Sequence, residues 1–307
     1  MSFIERQIQV QVSLAGDTFN GSADTLILDG LRVRLRTTSY SGSTSSFNSQ
    51  IQMQIYGMLN SDMAKLSTLG FSDSLFTKNA IKVLAGGSVS GLTQIFAGSI
   101  TSGSVDYNNM PNVGVDILAY AGMNEQLTPI AASSYKGSMD VATMIQGICA
   151  NAGLSFVNKG VSQKLSNHAC GGTAIDQIRD ICYAAGVLCF INEKTVTIWP
   201  EGKALNSTPV VVSAATGLVG YPLYELNGGL NITTEFNPQI IVGGTVQTVS
   251  SIPKPGPGAP KVNGQPAPGS TGTFYVWSVE HQLSSQDPKG PWFTNAHLSV
   301  NNFNAHT

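Results

Sequence analysis

His168, Cys170, Cys182 and Cys149 come closest, by type and spacing, to a reactive or ligating set in this chain. His168-Ala169-Cys170 sets an imidazole beside a thiol, and zinc takes four nitrogen or sulfur ligands in a tetrahedron. The set closes only if Cys182 or Cys149 leaves an apolar helical stripe to reach it. The favoured reading is therefore that all four cysteines, Cys189 included, are buried reduced thiols, with zinc as the rival. The acidic residues are scattered, and no pair stands out as the two carboxylates of a glycoside hydrolase. His168, His281, His297 and His306 belong to no nucleophile motif, and no P-loop is present. Gly86-Gly87-Ser88-Val89-Ser90-Gly91 is glycine-rich but lacks the lysine and the following helix of a phosphate cradle, so it reads as a turn. The expectation is no catalytic residue, no cofactor-binding residue, no metal ligand, no cofactor and no enzyme.

Charge points the same way. Only 11% of the 307 residues are charged and the net charge is −2, so the chain lacks the basic excess that tight DNA binding needs. The local exception is Arg32, Arg34 and Arg36, which alternate along one strand and share a face. They read as a solvated or inter-subunit face before a nucleic-acid site. A polar but weakly charged surface suits an assembly protein that buries much of itself against other subunits. The start, Met1-Ser-Phe-Ile-Glu-Arg, lacks the apolar core of a signal peptide. No run approaches eighteen apolar residues, so no membrane segment is expected.

The elements that would position these residues fall into three parts. Gly137–Pro200 alone reads as helical, in two helix-then-strand units. Val141, Ile145, Ile148, Cys149 and Ala152 make one apolar stripe, followed by Gly153; Ala174, Ile178, Ile181, Cys182 and Ala185 repeat it, followed by Gly186. Asp140 and Thr173 stand where N-caps belong, and the glycines suit left-handed C-caps. Strands Leu154–Val157 and Val187–Ile191 follow, the second returning through Asn192-Glu193-Lys194 as Thr195–Trp199.

Before this island, β-structure alternates. Ile8, Val10 and Val12 face away from Gln7, Gln9 and Gln11, and Ile51, Met53 and Ile55 from Gln50, Gln52 and Gln54. Leu26–Thr37 reads as a strand bent at Asp29-Gly30, Ser39–Ser49 as a serine-rich loop, and Asn60–Leu69 as a short helix with Met63 and Leu66 inward. Asn79–Ala85, Leu92–Ser102 and Val113–Ala121 complete about six strands of a small barrel or sandwich. After it, Pro209–Ser213, Gly220–Phe236, Gln239–Val249, Thr273–Leu283 and Trp292–Phe303 are strand candidates. Ile252–Gly272, with six prolines and five glycines, reads as an exposed loop that cannot pair with itself. Gly30-Leu31-Arg32-Val33 resembles Gly229-Leu230-Asn231-Ile232, and Phe47-Asn48-Ser49-Gln50-Ile51 resembles Phe236-Asn237-Pro238-Gln239-Ile240, matches short enough for chance to rival the duplication they would mark. The expected fold is mainly β with a small α/β insert, α+β overall. Residues 1–133 would form one small β-barrel, 134–200 the insert, and 201–307 a second, similar barrel carrying the Pro/Gly-rich loop 252–272.

This order of pieces resembles the baseplate hub of contractile-tailed bacteriophages, the T4-like and Mu-like tail hubs, whose fold recurs in the spike hub of type VI secretion. The stretches that carry the resemblance are Ile95-Phe96-Ala97-Gly98-Ser99-Ile100, Val196-Thr197-Ile198-Trp199-Pro200, Thr216-Gly217-Leu218-Val219-Gly220-Tyr221-Pro222, and Asn237-Pro238 leading to Gly243-Gly244. The resemblance implies a structural virion protein, assembled in the host cytoplasm into the tail baseplate. It implies a homotrimeric ring adapting a six-fold tail tube protein to a three-fold central spike protein, among other baseplate proteins, with DNA only in transit through its channel. Two rivals remain. A carbohydrate-binding surface β-protein would expose aromatics such as Trp277 and Trp292 on one strand face, and a tail-associated hydrolase would need a site that the residues do not supply.

Overall fold

A computed structural model describes residues 5–15, 18–19, 24–42, 48–67, 79–87, 90–108, 110–225, 229–250, 261–262, 265–266 and 271–299. The first β region holds β1 (Arg6–Ser13), β2 (Thr25–Leu28), β3 (Arg32–Tyr40), β4 (Ser49–Tyr56), α1 (Asn60–Leu66), β5 (Ala80–Gly87), β6 (Gly91–Asp106), β7 (Gly114–Tyr120) and α2 (Met123–Leu127). The insert follows with β8 (Ser133–Asp140), α3 (Val141–Ala152), β9 (Ser155–Asn158), β10 (Lys164–Cys170), α4 (Ala174–Ala185), β11 (Val187–Asn192) and β12 (Thr195–Pro200). The last region holds β13 (Val210–Ser213), β14 (Leu223–Tyr224), β15 (Leu230–Glu235), β16 (Thr245–Val249), β17 (Lys261–Val262), β18 (Gln265–Pro266), β19 (Gly272–Ser284) and β20 (Trp292–Ser299). The chain is mainly β.

The two β regions share one sheet. Its order is β14-β15-β20-β19-β3-β4-β7-β6-β5-β1-β2, with β16 and β13 branching from β19. Among the described residues the hydrogen bonding runs from β14 to β2 and does not return, so neither region closes into a barrel, contrary to expectation. The cause is β19. Its N-terminal end pairs with β16, and its C-terminal half, from Ser278 to Ser284, pairs with β3 from Tyr40 to Arg34. An edge that would have to close the second region on itself is thus spent on the first. β6 also pairs twice, with β5 from Gly91 to Ser99 and with β7 from Ser99 to Asp106, the second ladder shifting register between Ile100 and Ser102. Such an irregularity bends a strand.

Alternation decides which faces are buried. Ile8, Val10, Val12, Val33, Leu35, Ile51, Met53, Ile55, Ile81, Val83, Val115 and Ile117 fill the first core. Leu283 from β19 is buried in it, and Phe236 and Trp292 pack against it. α1 caps this core with Met63 and Leu66, as the spacing predicts. A second core, with Ile232, Val246, Val276 and Leu298, serves the last region. The bend at Gly30 is present, at φ +69°. Two expected strands shorten. Gly220–Phe236 divides into β14 and β15, and of Gln239–Val249 only β16 forms. Of the serine-rich loop, Ser39, Tyr40 and Ser49 belong to β3 and β4, Gly42 and Asn48 form isolated bridges, and residues 43–47 lie outside the description.

The duplication receives one common context and lacks another. Gly30-Leu31 and Gly229 each lead into a strand, β3 and β15. Ile51, by contrast, lies inside β4, whereas Ile240 follows β15 in a turn closed by Ile240 N–H donating to Asn237 O at 3.3 Å. The Pro/Gly-rich loop lies mostly outside the described residues. What is described corrects the expectation that it cannot pair with itself: Lys261 pairs with Pro266 and Val262 with Gln265. Asn263-Gly264 lies between them in sequence, the dipeptide that best suits a tight hairpin.

Candidate functional site

The insert carries the four cysteines and His168, and its elements form as their sequence dictates. α3 spans Val141–Ala152 and α4 spans Ala174–Ala185, with Gly153 and Gly186 in the left-handed cap conformation at φ +68° and +63°. Thr173 caps α4 in a reciprocal box with Asp176. Hydrogen bonds from Thr173 hold the Asp176 carboxyl below the usual carboxylate range, and Arg179 adds to this. Asp140 does not cap α3 through its side chain; it faces Lys164 at 3.8 Å instead. β11 and β12 pair as the expected hairpin, and β9 joins β12 in parallel.

The helical stripes send Cys149 and Cys182 into the insert core, where Cys189 of β11 meets them. Burial pushes the Cys149 thiol up to about 12, with Cys182 adding to the shift, and drives Cys189 well above its ordinary value. A thiol so displaced stays neutral, and neutral thiols are poor ligands and nucleophiles. His168 is not drawn to them. Its Nε2 lies 3.1 Å from Asp180 Oδ2, while Cys170 Sγ lies 3.7 Å from Gln177 Oε1. The polar partners of His168 and Cys170 are thus Asp180 and Gln177 of α4. Among the described residues no group of three or more His, Cys, Asp or Glu is arranged to hold a metal ion.

The arginine strand is where polar groups do converge. Arg34 Nη2 donates to Asp287 Oδ2 at 2.8 Å, and Arg36 Nε donates to Glu280 Oε2 at 2.6 Å. The Arg32 guanidinium lies 4.4 Å from the centre of the Tyr56 ring. Glu280 is a focus of donors, since its Oε1 also accepts from Gln282 at 2.5 Å and from Asn295 at 3.3 Å. Asn295 in turn accepts from Thr233 Oγ1 at 2.8 Å. The result is a polar row across β15, β20, β19 and β3 on the face opposite the cores. Gln52 and Gln54 of β4, Asp116 of β7 and Ser104 of β6 continue it. Burial, helped by Asp106, raises the Asp116 carboxyl. Arg34 lowers that of Asp287.

The insert is joined to both neighbours. Gly42 and Asn48, flanking the β3–β4 loop, bridge to Cys189 and Ile191 of β11. On the other side Trp199, at the end of β12, is fully buried, and its indole N–H has no hydrogen-bond partner among the described residues. Packing holds it. Gly243, at φ +76°, lies so close that an added Cβ would sit 2.7 Å from the indole ring. Gly243 N–H donates to Val276 O, and Leu205 N–H donates to Gly243 O, each at 2.9 Å. Two stretches far apart in sequence, Ile198-Trp199-Pro200 and Gly243-Gly244, thus make one joint. Sequence spacing alone has no means of pairing them. Trp292 stacks edge-on to Phe236 at 5.4 Å and is partly buried, and Trp277 is half-buried.

With this geometry in place, comparison with known proteins is specific. A family model described as "Baseplate hub gp41" matches residues 43–293. The fold is similar to that of a tail protein from Neisseria meningitidis MC58, with a TM-score of 0.63 and 11% identity, covering 97% of this chain and 98% of that one. It is similar to the 43 kDa tail protein of prophage MuSo2 from Shewanella oneidensis, with a TM-score of 0.58 and 9% identity, covering 94% and 96%. A third likeness is to an E. coli component of the type VI secretion system, itself described as similar to the T4 tail proteins gp27 and gp5. There the TM-score is 0.58 and the identity 9%, covering 94% of this chain and 76% of that one. No curated protein matches the sequence.

Proposed function

The chain belongs to the baseplate hub gp41 family, and from that premise we propose that three copies form a ring that adapts a six-fold tail tube to a three-fold central spike and leaves a channel for DNA. The chain is a structural component of a phage tail baseplate, not an enzyme. One observation carries the finer reading: the first and last β regions are joined edge to edge, β3 to β19, in a single sheet. A chain that presents two β regions side by side supplies six from three copies, which is what a six-to-three adaptor requires. Identical subunits commonly assemble with closed symmetry, and a head-to-tail contact between copies gives a ring when its rotation closes.

In this reading residues 1–133 and 201–307 form the wall, and residues 134–200 brace it from the side, tied through Gly42, Asn48 and the Trp199–Gly243 joint. The partners are the tail tube protein, the central spike protein and other baseplate proteins, with DNA passing but not held. The protein is assembled in the host cytoplasm and ends in the virion. No helix of the described residues is long and apolar enough to cross a membrane. Cross-linking of purified tails, read by mass spectrometry, tests the partners. Links from this chain to both tube and spike proteins are expected, and links confined to sheath or fibre proteins would sink the reading.

A further inference from the structure

Three of the chain's five arginines stand on one strand, on one face, and each guanidinium is met by a carboxylate or an aromatic ring. Arginine is the side chain best suited to grip phosphate, through two parallel N–H···O bonds. A bare row of three along β3 would hold a DNA backbone. Instead Arg34 is met by Asp287, Arg36 by Glu280, and Arg32 lies on the Tyr56 ring. The carboxylates sit beneath the guanidiniums. Glu280 and Asp287 side chains are 16% and 21% exposed, against 59% and 50% for Arg36 and Arg34. Glu280 is held there by Gln282 and Asn295 as well, so the countercharge is fixed before any partner arrives. The depression beside them, about 480 Å³, is lined by Gln52, Gln54, Ser104 and Asp116, which add amides, a hydroxyl and one more acid but no free cation among the described residues.

We propose that Asp287 and Glu280 mask the β3 arginines so that this face of the sheet, lying along the DNA path, lets duplex DNA pass without capturing it. This rests on the hub reading above. The arginines keep their structural use, tying β3 to β19 and to the turn before β20, while their phosphate-binding capacity is cancelled in place. Ion pairs this exposed contribute little stability, which leaves cancellation of charge as their larger effect.

The test uses the purified chain on immobilised duplex DNA at low salt, then intact phage. E280Q/D287N should elute at higher salt than wild type, since each further phosphate neutralised steepens the log–log salt dependence by roughly 0.9. Adding R34Q/R36Q to that variant should restore wild-type elution. D24N/E201Q, which removes the same charge at two exposed positions elsewhere, should elute with wild type. Melting curves report whether E280Q/D287N folds; if it does not, D287N alone, altered in a turn, carries the test. Phage carrying the unmasked variant should deliver DNA several-fold more slowly. Retention of the wild type, or an equal shift in D24N/E201Q, would overturn masking. Normal delivery with the unmasked variant would show that this face meets protein and not DNA, and would overturn the proposal. The hub reading stands or falls separately, on the copy number of the ring.

Discussion

Leu35 of β3 and Leu283 of β19 stand opposite each other in one antiparallel ladder, and both are buried in the core of the first β region. A residue from near the end of the chain therefore completes a core built by its beginning. Leu283→Ala should cost about 2–5 kcal/mol, the usual range for a truncated core leucine. Arg36→Ala, on the exposed side of the same seam, should cost less than about 1 kcal/mol. Urea unfolding of the two variants measures both. Equal losses would mean that the seam is held by charge and not by packing.

The seam also marks the limit of what the sequence discloses. Alternation in β1 and β4 tells which side chains turn inward, and the inward sets are as expected. It carries no information about which strand lies alongside, so the β3–β19 pairing, between ends of the chain, is not legible, and two closed barrels are expected in its place. The insert is legible because helix stripes, caps and a tight hairpin are local: α3 and α4 span the predicted stripes, with the predicted glycines after them. β8 and β10 leave no signal because they form a two-stranded sheet with mostly exposed side chains, without a period-two pattern to read. The neighbour of His168 is a three-dimensional fact that spacing does not carry: Asp180 Oδ2 lies 3.1 Å from its Nε2.

Gly243→Ala should destabilise the protein by about 1–3 kcal/mol, from the left-handed backbone conformation and the forced contact with Trp199. Gly202→Ala is the matched control, because Gly202 has the same φ of +76° and nothing within 4 Å of an added Cβ. The difference between their melting temperatures isolates the contact with the indole. If the two variants melt together, Trp199 yields without cost and the joint is looser than described.

Stability should fall in mild acid because of His281. Burial lowers its pKa to about 4 from the ordinary 6.5, outweighing Glu280, which raises it. Thr294 Oγ1 accepts from Asn237 N–H at 2.9 Å and lies 2.9 Å from His281 Nδ1, so the buried ring is hydrogen-bonded in place. A histidine whose folded pKa is depressed takes up its proton in the unfolded chain first. Its contribution is full above about pH 6.5, is lost progressively between about 6.5 and 4, and levels off below, by about 3 kcal/mol at most. His281→Gln should flatten urea-derived stability across that window. An unchanged pH slope in the variant would assign the effect to other groups.

The four thiols, Cys149, Cys170, Cys182 and Cys189, are all buried. A disulfide-exchange reagent at mild alkaline pH should therefore leave them unlabelled in the native protein and label all four after denaturation. Cys182→Ser should cost roughly 1–3 kcal/mol, by placing a hydroxyl in an apolar core. A chelator should not change the melting temperature. Rapid labelling of a core cysteine in native protein, or stoichiometric zinc in a clean preparation, would contradict this arrangement.

The hub assignment rests most directly on how many copies of this chain encircle the tail axis. A reconstruction of the intact baseplate, made without imposed symmetry, measures that number. Three copies in one ring, between the end of the tube and the base of the spike, is the predicted result. Six copies in the ring, or a position among the sheath subunits, would contradict it.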